Sequence, residues 1–295
     1  MFCQTDKEIQ KNFDAKQGGI CFSILMASYV IFAFIVQTIL LSFTKKESFL
    51  YLAVCSLLSS LSIFGVILYT RLHKKIKLDF NAKNFEVKHV VFIILLSVGM
   101  FLGVGFINLK INQTLVGWGV KSSSPAIVVE NVWQFLFFTI SLAILPAIFE
   151  EIFFRGILLN SFGKNNTFLS VLIVSLCFAL YHCNLTQFAY QFIYGVAFSF
   201  VAITCKSVLP CIISHFLNNF IVLLFYFIQV SVNLYSLVLI VIGLVCLAIL
   251  VLVMVFEFRK NKLYNKKKLC TGEFIIGSLF GVLICVLMIV SALMV

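Results

Sequence analysis

The stretch NVWQFLFFTISLAILPAIFEEIFF, residues 131–154, decides the fold because it has no charged side chain before Glu150. About 20 consecutive apolar residues form a helix that is long enough to cross the hydrocarbon core of a bilayer. The stretch therefore predicts a transmembrane helix. Two adjacent glutamates near its end are unusual for such a helix.

Eight other stretches of the sequence have the same apolar character. The predicted spans are about 20–43, 49–70, 90–108, 131–154, 166–183, 187–203, 208–229, 234–256 and 274–294. The fifth and sixth are short, and we expect the fourth to continue past its charged end. The pattern predicts an all-α fold, a polytopic membrane helix bundle of eight or nine transmembrane helices.

The composition excludes several classes of protein. Of the 295 residues, 62% are hydrophobic and only 11% are charged, whereas a soluble domain has about 25% charged residues. A soluble globular enzyme, a disordered chain and a nucleic-acid-binding domain are thereby excluded, in spite of the net charge of +11. We expect a multi-pass protein of the cell membrane. Its expected partner is the lipid bilayer, and we expect no nucleic-acid partner.

The ten cysteines do not indicate a disulfide scaffold. Most of them lie in or beside apolar stretches, and no two have the CxxC spacing that redox and zinc motifs use. The sequence predicts that they are small packing residues.

The basic residues predict an orientation in the membrane. All but four of the 22 Lys and Arg residues fall at the N-terminus or in alternate loops, and such residues are retained on the cytoplasmic side. The four exceptions are Lys45, Lys46, Lys110 and Lys121. We therefore expect a cytoplasmic N-terminus and an external C-terminus. We expect the chain to divide into N-terminal helices with a basic loop (1–125), a central helical core (126–230) and C-terminal helices (231–295).

Ionisable side chains within the spans locate the candidate site. The charged residues between 131 and 256 are Glu150, Glu151, Arg155, Lys164 and Lys206, and the two lysines fall in loops. His182 and His215 also lie in apolar spans. Ionisable groups at membrane depth are costly, so they usually face the interior of a bundle and have a function there.

Helical spacing sorts these residues into faces. Glu151 and Arg155 are four residues apart and can form a buried ion pair. Glu150 lies about 100° away from Glu151 around the helix axis, so it is not paired with Arg155 and is available for a chemical role. The pairs Phe178 with His182 and His215 with Asn219 have the same spacing of four.

These residue types fit the hydrolysis of a peptide bond. Glu150 can take a proton from water while His182 holds that water, and His215 and Asn219 can donate hydrogen bonds to the oxyanion. Alternatively, Glu150, His182 and His215 can bind a divalent metal such as zinc with an open fourth position, although no HExxH motif supports this reading.

Other interpretations remain open at this point. The Glu–Glu pair is also compatible with a proton relay or cation site in an ion-coupled transporter. Asn218 and Asn219 are compatible with a purely structural role, in which they join helices by hydrogen bonds.

In order and spacing, three motifs resemble the signature of the CPBP intramembrane proteases, the CAAX-protease and bacteriocin-processing group that is also called the Abi family. The motifs are Glu150-Glu151-x-x-x-Arg155, Phe178-x-x-x-His182 and His215-x-x-x-Asn219, with Gly156 and Phe192-x-x-Gly195 as weaker matches. The resemblance covers about 70 residues, from Glu150 to Asn219.

The resemblance implies about eight helices that enclose an intramembrane catalytic cavity. It implies an endopeptidase acting on a membrane-associated or prenylated, CAAX-type protein or peptide. Glu150 and His182 match the positions that activate water, His215 and Asn219 match the oxyanion hole, and Glu151, Arg155 and Phe178 match supporting positions. Whether a metal takes part is left open, and a non-catalytic bacteriocin-immunity or partner-binding protein on the same scaffold is the alternative.

Overall fold

A computed structural model describes residues 13–46, 48–74, 86–120, 129–163, 167–229, 236–260 and 271–294. These residues form helices and, within the described ranges, no strand. The helices are α1 (Ala15–Leu41), α2 (Phe49–His73), α3 (Val87–Gly117), α4 (Val132–Ser161), α5 (Thr167–Tyr181), α6 (Leu185–Cys205), α7 (Leu209–Ile228), α8 (Leu237–Lys260) and α9 (Thr271–Met294).

The predicted polytopic bundle is confirmed. Eight of the helices are long and apolar enough to cross a membrane. The predicted fifth span is a helix, but α5 has only 15 residues, which is roughly 22 Å at 1.5 Å per residue and shorter than the hydrocarbon core of about 30 Å. As expected, α4 continues past its charged residues and ends at Ser161.

The helix α4 contains two π-helical segments that flank its glutamates. They run over Thr139–Ile144 and Ile152–Leu158, with Pro146 in the short α-helical stretch between them. A π-helical turn bonds residue i to i+5, is rare, and occurs frequently at functional sites. The second segment is buried almost throughout, which places α4 against the core of the bundle.

Glycines allow the first and last helices to approach closely. A Cβ atom on Gly277 of α9 would lie 2.4 Å from the carbonyl oxygen of Lys16 in α1, and one on Gly19 would lie 2.5 Å from that of Phe274. The hydroxyl of Ser23 donates a hydrogen bond to the carbonyl of Gly277 at 2.8 Å. Small residues of this kind let transmembrane helices pack backbone to backbone.

The predicted orientation and domain boundaries remain predictions. Most of the loop lysines on which the orientation rests, including Lys121 and Lys164, lie outside the described residues, as do the boundaries at 125 and 230.

Candidate active site

The two adjacent glutamates of α4 are both buried. Glu150 is 5% exposed and Glu151 is 0% exposed. They lie in the last turn of the α-helical stretch Leu145–Glu151, directly before the second π-helical segment. Two carboxylates in the interior need compensating charges or hydrogen bonds.

The ion pair that the spacing predicts is present. Arg155 Nη1 donates to Glu151 Oε1 at 3.0 Å, and both side chains are 0% exposed. Three aromatic rings surround the guanidinium, whose Cζ atom is 4.4 Å from the ring centre of Phe178, 5.5 Å from Phe198 and 6.0 Å from Phe154. Cations over ring faces are attracted by the quadrupole of the ring, so the cage holds the arginine in place.

His215 of α7 contacts both glutamates. Its Nδ1 lies 2.8 Å from Glu151 Oε1, and its Nε2 lies 4.0 Å from Glu150 Oε2. An ionised carboxylate only accepts hydrogen bonds, so Nδ1 carries a proton and donates it to Glu151. Glu151 therefore links the arginine to the histidine, and it aims the other ring nitrogen at Glu150.

His182 lies at the end of α5 with one ring nitrogen fixed by the backbone. Its Nδ1 is 2.8 Å from the carbonyl oxygen of Phe178, so Nδ1–H donates there and Nε2 is left with its lone pair. The Phe178 ring packs edge-on against the imidazole of His182, with centroids 4.9 Å apart, and also against that of His215 at 6.5 Å. Phe178 therefore lies between the two histidines while its face contacts Arg155.

Asn219 makes a hydrogen bond that the sequence does not predict. Its Nδ2 donates to the carbonyl oxygen of Leu142 at 3.1 Å. Leu142 lies in the π-helical segment Thr139–Ile144. The asparagine therefore ties α7 to this segment of α4, and it keeps a second N–H.

Further residues around the site were not found by the sequence reasoning. The Tyr194 and Phe198 rings lie 5.8 Å and 6.1 Å from that of His215. Tyr190 and Asn218 exchange hydrogen bonds, with Asn218 Nδ2 donating to the hydroxyl at 3.1 Å. The aromatic residues 190, 194 and 198 recur every four residues along α6, and this spacing was the signal that could have revealed them.

A metal ion needs several donor groups that converge on one point. Within the described ranges, no three His, Cys, Asp or Glu side chains are placed to hold one. The positive charge next to Glu151 is that of Arg155. Zinc binding by Glu150, His182 and His215 stays a prediction of the sequence.

The fold and the site together define a multi-pass helical membrane protein in which the ionisable side chains of Glu150, Glu151, Arg155 and His215 are buried between α4 and α7. The family model described as "Type II CAAX prenyl endopeptidase Rce1-like" matches residues 132–221. The match confirms the resemblance to the CPBP family over the segment that contains the three motifs, and it supports CAAX-type intramembrane protease activity in general terms. Comparisons with curated proteins and with solved structures found no match.

Proposed function

We propose that the chain is an intramembrane endopeptidase that hydrolyses a peptide bond of a membrane-associated or prenylated, CAAX-type protein or peptide. The position of the Glu150 carboxylate carries the proposal. Its Oε2 is buried, accepts no hydrogen bond from the described protein groups and lies 4.0 Å from His215 Nε2. A carboxylate with free acceptor capacity beside an imidazole is suited to take a proton from water.

Charge balance favours one shared proton in the cluster. Ionised Glu150 and Glu151 bring two negative charges, and Arg155 brings one positive charge. An unbalanced buried charge is costly, so a further proton resides on either Glu150 or His215. With this proton on His215, Glu150 is a base and the Nε2–H of His215 is a donor, and we assign this state to the enzyme before reaction.

Glu151 acts as a positioning residue in this scheme. Its Oε1 accepts hydrogen bonds from both Arg155 and His215, at 3.0 Å and 2.8 Å. The contact fixes the orientation of the imidazole. Arg155 in turn fixes Glu151, so the arginine contributes without touching substrate.

The reaction begins when Glu150 removes a proton from a water molecule whose oxygen attacks the carbonyl carbon of the scissile bond. His182 Nε2 accepts a hydrogen bond from the same water, because its Nδ1–H is directed at the Phe178 carbonyl. The resulting oxyanion accepts hydrogen bonds from His215 Nε2–H and from the second N–H of Asn219. When the C–N bond breaks, Glu150 returns the proton to the departing amine.

The substrate class follows from where the site lies. Glu150 and His215 belong to membrane-spanning helices, so the scissile bond has to reach membrane depth. A lipid anchor such as a prenyl group, or an apolar segment next to the bond, holds a peptide at that depth. The description of the matching family names prenylated CAAX substrates, and this supports the first form.

Cleavage of a fluorogenic prenylated CAAX peptide by the purified chain in lipid nanodiscs tests the proposal. Glu150→Gln and His182→Ala should each lower the rate by about 10³-fold, since proton transfer is typically worth 10²–10⁴ in rate. Glu273→Gln and His73→Ala replace exposed residues of the same types and should leave the rate unchanged. Unchanged cleavage in Glu150→Gln would contradict the mechanism, and absence of cleavage by the unmodified chain would favour the non-catalytic alternative.

A further inference from the structure

Two adjacent asparagines of α7 bond to different neighbouring helices. Asn219 Nδ2 donates to the Leu142 carbonyl oxygen of α4. Asn218 Nδ2 donates instead to the hydroxyl of Tyr190 in α6 at 3.1 Å, and the same hydroxyl lies 3.4 Å from Asn218 Oδ1. Asn219 belongs to the proposed oxyanion hole, whereas the proposed reaction assigns no role to Asn218.

The pair of Asn218 and Tyr190 lies next to the candidate active site. Asn218 is three residues from His215, so both lie on one face of α7. The ring centre of Tyr190 is 5.4 Å from that of Tyr194, which in turn is 5.8 Å from that of His215. Asn218 is 6% exposed, so a hydrogen bond formed by its amide is shielded from water.

The Asn218 amide has hydrogen-bonding capacity that the contact with Tyr190 does not use. An amide side chain has two N–H groups and a carbonyl oxygen with two lone pairs. One N–H points to the hydroxyl, and the hydroxyl takes at most one lone pair of Oδ1. The other lone pair is therefore an acceptor in an amide that Tyr190 already holds in place. Binding to a preorganised group costs less conformational entropy.

We propose that Asn218 Oδ1 accepts a hydrogen bond from the main-chain N–H of the substrate residue that contributes the scissile carbonyl. This inference rests on the proposed function and extends it to the recognition of an extended peptide. In an extended chain, the N–H and the C=O of one residue point to the same side. A residue whose carbonyl oxygen is held by His215 and Asn219 therefore directs its N–H at α7 as well, where Asn218 is the adjacent side chain.

The contact selects substrates by their backbone. Asn218 is the residue that touches the substrate, and Tyr190 is a positioning residue that orients its amide. Any side chain is compatible with the contact, but proline has no N–H. A peptide with proline at the position that contributes the scissile carbonyl should therefore bind poorly.

Replacement of single main-chain N–H groups by ester oxygens tests the contact. Dye-labelled prenylated CAAX peptides, each with one ester, are bound to the full chain carrying Glu150→Gln in nanodiscs, and Kd is measured by fluorescence anisotropy. Mass spectrometry of the products formed by the unmodified chain locates the scissile bond. The ester at the residue that contributes the scissile carbonyl should raise Kd about fivefold, as expected for the loss of one hydrogen bond.

The proposal requires that this ester effect depend on Asn218. In Asn218→Leu, and in Asn218→Ala as a smaller replacement, the parent and ester peptides should bind equally well. In Tyr190→Phe the ester effect should persist, because the acceptor is still present. Asn160→Leu is the matched control, since Asn160 is half-buried in α4 and bonds to its own helix at 2.7 Å, and it should retain the full effect.

The possible results separate this contact from the proposed function. An ester effect of equal size in the Asn218 variants, or one that depends on Asn218 at another position, would overturn the assignment. Loss of the effect in Tyr190→Phe alone would make the hydroxyl the acceptor and also overturn it. An effect that depends on Asn218 at a single position, in a chain that never cleaves the peptide, would support the binding contact and contradict the proposed function.

Discussion

Two parts of the molecule join their helices by different means. Around Glu150, the helices α4 and α7 meet at buried polar atoms, such as Glu151 Oε1 and His215 Nδ1 at 2.8 Å. Between α1 and α9 the backbones meet at glycines, where a Cβ on Gly277 would lie 2.4 Å from Lys16 O. Polar contacts fix the distance between particular atoms, as catalysis requires, whereas glycine contacts fix only how closely two helices approach.

Among substitutions that distinguish these two parts of the molecule, we expect the largest loss of stability at Arg155. Arg155→Met removes the guanidinium that pairs with Glu151 and leaves this carboxylate buried without its partner. Breaking a buried ion pair by removing one partner typically costs about 3–5 kcal/mol, so thermal unfolding should occur at a much lower temperature. Arg155→Met combined with Glu151→Gln should recover a large share of the loss, because the orphaned charge is then absent. If the double variant were no more stable than Arg155→Met, charge would not be what holds this part together.

A smaller effect is expected at the glycine contact. Gly277→Ala places a methyl group against the α1 backbone, and overpacking of this kind costs about 1–3 kcal/mol. Gly65→Ala is the matched control, since nothing lies within 4 Å of its Cβ position. Only Gly277→Ala should lower the unfolding temperature, while cleavage per folded molecule should be unchanged in both. Loss of cleavage in folded Gly277→Ala would show that the two parts are not independent.

The contact between α6 and α7 should contribute less. Tyr190→Phe removes a hydroxyl that bonds to Asn218 at 3.1 Å, and hydrogen bonds between transmembrane helices average about 0.6 kcal/mol. We expect a correspondingly small fall in unfolding temperature. Combining Tyr190→Phe with Asn218→Leu should cost less than the sum of the single changes. Strict additivity would mean that the two side chains are not coupled.

The smallest effect is expected at the exposed start of α3. Lys88, which pairs with Glu86 at 2.9 Å, lowers the pKa of that carboxyl below its usual value through a hydrogen bond and its charge. A lowered native pKa stabilises the fold above the unfolded pKa of 4.5, and this stabilisation disappears as the pH falls through the native pKa. The free energy of unfolding should therefore differ between Glu86→Gln and the unmodified chain at pH 6, and this difference should vanish in acid. In a Lys88→Met background the pH dependence should be weaker. A difference that is equal at every pH would contradict this account.

Some of the site could be predicted because it is local in sequence. Glu151 and Arg155 are neighbours on any α-helix, since four residues make about one turn, and the ion pair follows from that. The contact of His215 with Glu151 could not be predicted, because it depends on how α7 is placed against α4. The π-helical segments beside Glu150 have no signal in the residue pattern, and they change the side-chain directions on which an ideal helical wheel relies.

The absence of CxxC spacing among the cysteines predicts packing residues, and the structure agrees for Cys211, which is buried in the core cluster.

The sequence by itself determined that this chain is a membrane protein and that its helices are long and apolar. It also determined which ionisable residues lie within these apolar helices. These properties depend on amino-acid composition and on spacings of a few residues, and both can be read directly from the sequence. Only the tertiary structure decided that Glu151 connects Arg155 to His215 and that Asn219 donates a hydrogen bond to the Leu142 carbonyl. Those facts depend on the relative positions of separate helices, which are set by the packing of the whole bundle.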